Sequence, residues 1–190
     1  MKKFLTLIIF FFISNVVISN ETKEIIMKSH STSDLKSFKL ENGTNFSSLV
    51  SDGSWEDNLG NYGLSKCMGT VTTMSNNDIT LNVMCENTDK NGYKTWSVVK
   101  RSGSSMAGGI GYSEIVDSTV PYKDLFIGTK CKYAINYLKN VSFTMTKCPV
   151  SNDLYTKILD LVETFSVMTF FGFIFSPSEY FETTAFENSK

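Results

Sequence analysis

The sequence predicts a mainly β protein, an antiparallel meander closing into a roughly eight-stranded barrel, followed by a C-terminal helix. Three observations carry this. Short runs with strand chemistry recur between turn formers over residues 53–150, Cys67 and Cys85 take opposed places across one hairpin, and a helical apolar period begins only after Cys148-Pro149. A meander of this length left open would expose two sheet edges, and closure removes them.

At the N-terminus, Lys2 and Lys3 precede an apolar run from Phe4 to Val17 and a small polar exit, Val17-Ile18-Ser19-Asn20. This is the layout of a signal peptide over residues 1–19, with cleavage after Ser19. The run is short for a bilayer span, and an uncleaved anchor is the alternative. Cleavage leaves about 171 residues, enough for one domain with a core, with 16 basic against 19 acidic residues and a net charge of about −3. Lysines and arginines are scattered, the longest cluster being Lys100-Arg101, so nucleic acid is not expected as a partner.

Residues 20–52 are rich in Ser, Asn, Thr, Lys and Glu without a sustained apolar period. They read as a flexible polar leader able to add one edge strand. The barrel domain is placed at residues 53–150. Its strands are expected at Tyr62 to Thr73, Ile79 to Glu86, Tyr93 to Arg101, Met106 to Val116, Leu125 to Tyr137 and Val141 to Cys148. Asn87 to Gly92, Ser102-Gly103-Ser104 and Asp117 to Pro121 supply turns between them.

Strand alternation ranks the cysteine pairings. With Val71 opposite Leu81 and Gly69 opposite Val83, Cys67 meets Cys85 on the apolar face, while Thr70 with Asn82 and Thr72 with Thr80 take the other. Directly opposed cysteines lie at disulfide distance. Cys131 and Cys148 flank a second hairpin, where exact opposition sets Lys132 against Lys147; a bulge or another pairing is the alternative there. A metal site is not expected, since no C-x-x-C spacing occurs and the single histidine, His30, lies in the polar leader.

Residues 151–190 are expected to form a helix and an apolar tail. Leu154, Ile158, Leu161 or Val162, and Phe165 recur at helical spacing, with Ser151, Asn152 or Asp153 available as N-cap. Val167 to Phe175 is apolar on all sides but only about nine residues long, against about twenty for a spanning helix. Burial against its own domain is the first expectation for it and contact with a protein partner the second; membrane contact is not expected.

Met84-Cys85, Asp89-x-x-Gly92, Trp96 and Arg101, then Gly108-Gly109-Ile110-Gly111, then Tyr122-Lys123-x-Leu125-x-x-Gly128, resemble the bacterial members of the allene oxide cyclase and dirigent type of calycin-like barrel. The resemblance covers residues 53–148. It implies an eight-stranded antiparallel barrel with a central cavity, a fold found in cyclising enzymes and in non-catalytic proteins. The chain departs from the family where Asp117-Ser118-Thr119-Val120-Pro121 stands in place of Gly-Thr-Gly, so that turn must be built differently.

No catalytic, cofactor-binding or metal-binding residue is assigned from sequence. Paired cysteines leave no thiol nucleophile, and the domain lacks a histidine for a serine. Glu56-Asp57, Glu86 and Asp89 lie by turns and are expected to be solvated. Trp55, Tyr62, Trp96, Tyr112, Tyr133 and Tyr137 are the candidates for lining a ligand cavity. The functional expectation is a secreted or periplasmic, disulfide-stabilised barrel with a binding or structural role. A small apolar ligand, or a protein partner on the C-terminal apolar segment, is the expected contact; the alternative is a cofactor-free isomerase or cyclase acting by proximity.

Overall fold

Eight strands follow one another, and each pairs antiparallel with the next: β1 (Thr22–Lys39), β2 (Asn45–Asp57), β3 (Tyr62–Thr73), β4 (Ile79–Asp89), β5 (Lys94–Gly103), β6 (Gly108–Ser118), β7 (Lys130–Leu138) and β8 (Val141–Ser151). β1 also pairs with β8, so the sheet closes into a barrel. The computed structural model describes residues 22–104 and 108–175, with side chains of the last helix described through Thr164. The expected signal peptide and the tail beyond 175 lie outside the described residues.

Hairpin chemistry sets the register. Gly43, Gly60, Asn77 and Gly92 each take positive φ at the end of a short loop, the position where a type I turn hands over to the next strand. These hairpins keep residue parity, so the odd-numbered residues of β1 to β5 share one face, and the cavity-lining positions of these strands lie on it, His30 excepted. In β8 the even-numbered residues point inward, because the β7–β8 pairing switches parity.

The polar leader expected at residues 20–52 is corrected by this register. Residues 22–52 form β1 and much of β2 as full members of the barrel. Their inward positions include Ser29, Ser31, Ser33, Ser47 and Ser51, and their outward positions are mostly polar, with Ile26, Phe38, Phe46 and Val50 interspersed. Neither face is apolar, so hydrophobic alternation is missing although the strands are present. The inward hydroxyls satisfy one another: Ser31 Oγ lies 2.7 Å from Ser142 Oγ, Ser37 Oγ lies 2.7 Å from Ser47 Oγ, and Ser51 Oγ donates to the Thr32 carbonyl at 3.1 Å.

Both disulfides join directly opposed residues, Cys67 with Cys85 and Cys131 with Cys148. In the second hairpin Lys132 does stand opposite Lys147 without a bulge. The conflict is relieved on the outer face, where Lys147 Nζ reaches Glu24 Oε2 of β1 at 3.1 Å. Leu125, expected as the start of a strand, instead belongs to a single helical turn, α1 (Lys123–Phe126). The divergent turn before it contains a cis Val120-Pro121 bond.

The last helix, α2 (Asn152–Phe175), begins at the chain end of β8, with Ser151 Oγ accepting from the Leu154 N–H at 3.2 Å. Asp153 adds a carboxylate to the first turn and pairs with Lys157 one turn on, at 2.8 Å. Ile158 and Val162 pack with Ile25 and Val150, flanked by Leu59 and Phe126, so the first half of the helix lies over one end of the barrel. The helix continues through the apolar segment; the expected burial of residues 167–175 concerns side chains outside those described. No helix among the described residues is long and apolar enough to cross a membrane. The strands themselves carry outward charges throughout, among them Lys28, Asp52, Lys66, Glu86, Lys100, Glu114, Lys132 and Lys147. Basic groups so placed would each cost up to about 2–4 kcal/mol at a lipid midplane.

Candidate functional site

The barrel interior holds two adjoining cavities. One, of about 110 Å³, lies under α2 at the helix-covered mouth, and the other, of about 140 Å³, occupies the middle of the barrel. Met27, Asn87, Ser97, Ser113 and Thr146 line both. An eight-stranded barrel has an interior just wide enough to be filled by side chains or to hold one small ligand. Short hydroxyl side chains at the inward positions are what leave this one unfilled.

At the mouth, the β2–β3 and β4–β5 hairpins repeat one device. Asp57-Asn58-Leu59-Gly60 and Asp89-Lys90-Asn91-Gly92 each begin with an aspartate whose Oδ1 accepts two backbone N–H groups of its own turn. Asp57 takes those of Leu59 and Asn61 at 2.9 and 3.0 Å, and Asp89 takes those of Asn91 and Tyr93 at 2.8 and 2.9 Å. Both aspartates hold inward positions and line the mouth cavity. Asp89 Oδ2 accepts the buried Tyr122 hydroxyl at 3.0 Å. Asp57 Oδ2 accepts no hydrogen bond from the described residues. Burial pushes the Asp57 carboxyl above its ordinary range, against the opposing pull of its two turn N–H groups and of Lys90. Tyr122 is likewise pushed far up, first by burial and then by the Asp89 carboxylate it donates to. Around these groups the lining is apolar or aromatic, with Ile25, Trp55, Tyr93, Ile115, Phe126 and Ile158. Tyr93 and Phe126 meet the Tyr122 ring edge-on at 5.9 and 5.5 Å.

The middle cavity is lined by serine and threonine hydroxyls together with Leu49, Val83, Val99 and the Cys67–Cys85 bridge. At its far side Arg101, 5% exposed, donates to the Gly108 carbonyl and to Tyr137. Gly109 and Gly111 make room there: a Cβ at Gly109 would press on the Arg101 guanidinium, and one at Gly111 would overlap the Tyr133 ring. Burial raises Tyr133 to about 12, with the Arg101 charge opposing the shift.

Of the aromatic candidates, Trp55 lines the mouth cavity, and Tyr133 and Tyr137 line the middle one. Tyr62, Trp96 and Tyr112 are corrected to the outer face, because each has the even number that the register turns outward. Tyr62 and Tyr112 are 59% and 64% exposed. Trp96 donates to Glu86 Oε2 at 3.0 Å; beside it Lys94, and then Trp96, hold the half-buried Glu86 carboxyl below its ordinary range. The expectation of solvated carboxylates holds for the exposed Glu56 and fails for Asp57 and Asp89. Sequence reasoning missed Asp57, Asp89, Tyr122 and Arg101 as interior groups. The twice-repeated Asp-x-x-Gly, read with strand parity, was the available signal for the two aspartates. Among the described residues no cluster of His, Cys, Asp and Glu is arranged to hold a metal.

No family model and no curated protein matches the chain. Among solved structures, the barrel is similar to a crystal structure of a protein with unknown function from Clostridium acetobutylicum ATCC 824. The TM-score is 0.54 at 7% sequence identity, covering 68% of this chain and 98% of that one. At that identity the likeness concerns the fold alone.

Proposed function

We propose that the chain is exported and acts outside the cytoplasm as a small-molecule-binding barrel, with the helix-covered mouth cavity as its site. Two disulfides point to an oxidising environment, and the N-terminal layout of a signal peptide agrees with it. The observation that carries the binding role is the unfilled mouth cavity of about 110 Å³, apolar over most of its wall but holding two inward carboxylates. A cavity of about 150 Å³ is enough for benzene, so the ligand here is compact, of about five or six heavy atoms. At a ceiling of about −1.5 kcal/mol per heavy atom such a ligand binds no tighter than roughly micromolar.

A cyclase of the allene oxide type would need room for a long, flexible substrate, and ligand pockets for larger molecules run from about 300 Å³ upward. The two volumes, about 110 and 140 Å³, therefore favour a compact ligand over that substrate class. Thermal unfolding of the oxidised full chain against a panel of five- to eight-atom molecules tests the role. Some members should raise the Tm of the wild type and lose the effect in Ser97→Leu or Ser113→Val, which fill space between the cavities. A panel in which none does so rules the role out.

A further inference from the structure

We propose that the mouth cavity selects a compact organic cation, a protonated or quaternary ammonium; this deepens the binding role above and rests on it. Charge is the first ground. Asp57 and Asp89 both face the cavity, and no side chain lining it among the described residues is cationic. Lys90, whose charge reaches Asp57, directs its Nζ elsewhere, 3.5 Å from the Gly60 carbonyl and 5.7 Å from the centre of the Tyr62 ring.

Unused bonding capacity is the second. Asp89 is occupied by its own turn and by Tyr122, whereas Asp57 Oδ2 accepts no hydrogen bond from the described residues. Ser118, 4% exposed, has an Oγ with no hydrogen-bond partner among the described residues, and it pairs in the ladder with Thr95, which lines the cavity.

The wall supplies the third. Trp55, Tyr93, Tyr122 and Phe126 give rings on several sides, and aromatic rings surround ammonium groups favourably once water is excluded. An anion would meet two carboxylates at close range. A neutral apolar molecule would deepen the desolvation of Asp57 without compensating it, and a cation relieves that cost directly.

The test compares three probes of similar size on the oxidised full chain by isothermal titration: tetramethylammonium, tert-butanol and pivalate. Tetramethylammonium should bind at least tenfold tighter than either other probe, and Asp57→Asn, which retains Oδ1 for the turn, should weaken it about tenfold or more. Equal or tighter binding of tert-butanol or pivalate to the wild type overturns the cation assignment while leaving the cavity as a binding site. Unchanged tetramethylammonium affinity in a folded Asp57→Asn protein overturns it too. Absence of binding by all three, together with a silent small-molecule panel, removes the binding role itself.

Discussion

Asp57 shows how one inward carboxyl couples the barrel to pH. Its folded-state affinity for a proton exceeds that of the unfolded chain because burial disfavours the charge. The sign follows from linkage. Below the ordinary carboxylate value the group is protonated in both states and costs nothing; as pH rises through the raised folded value the buried charge appears and stability falls. Asp57→Asn keeps an oxygen for the Leu59 and Asn61 N–H groups and removes that charge. Urea unfolding should therefore find the variant more stable than wild type at pH 7, with the gap closing at acid pH below the carboxylate range. A gap independent of pH would place the effect elsewhere. Gly111 gives a second test at this scale. A Cβ there has no space beside the Tyr133 ring, which is itself buried, so Gly111→Ala should cost about 1–3 kcal/mol, and Tyr133→Leu in the same chain should recover part of it. Trp55, Tyr133 and Tyr137 were named from sequence on side-chain type alone, and type alone does not separate them from Tyr62, Trp96 and Tyr112 on the outer face. Asp57 and Asp89 could not be named that way, since a carboxylate beside a turn is ordinarily solvated, and only the parity fixed by each hairpin shows that these two point in.

Single elements were legible where their two faces differ in polarity. β3 and β4 put Val71, Leu81 and Val83 on one side and Thr70, Thr80 and Asn82 on the other, and their register is the one that alternation predicts. β1 and β2 mix serines with apolar residues inward and carry mostly polar or charged residues outward, so the same rule returned a leader for the 18 residues of β1 and the first eight of the 13 in β2. Hydroxyl bonding between opposed residues of neighbouring strands replaces apolar contact there, and a hydrophobic period cannot register it. The helix was visible through Leu154, Ile158 and Val162, and of three possible caps the structure uses Ser151. Ser151→Ala should cost about 1 kcal/mol and loosen the first turn of α2 over the mouth. Hydrogen exchange should then rise at the amides of residues 152–156 while the strands stay protected. Uniform loss of protection would mean that the cap supports the whole barrel.

Closure is a property of the whole molecule, and the segment that looked least structured supplies it. β1 joins β2 on one side and β8 on the other, so removing residues 22–52 deletes β1 and more than half of β2 and leaves β3 and β8 as open edges. Both edges carry exposed apolar residues, Leu64 and Met68 on β3 and Phe143 and Met145 on β8. Unpaired strands of that kind template association between chains. A protein beginning at Gly53 should therefore be recovered as aggregate or oligomer by size-exclusion chromatography, whereas a flexible leader could be removed without effect. The disulfides act on a different quantity. Each closes a loop of 17 or 18 residues within one hairpin and constrains the unfolded chain by about 3 kcal/mol, but neither bridges β1. Replacing Cys67 and Cys85 by serine should thus lower Tm by roughly 6–12 °C at this chain length while the protein stays monomeric. A truncated chain should aggregate with both disulfides intact. Opposite outcomes, a soluble truncation and an associating double serine variant, would show that the staples and not β1 hold the barrel shut.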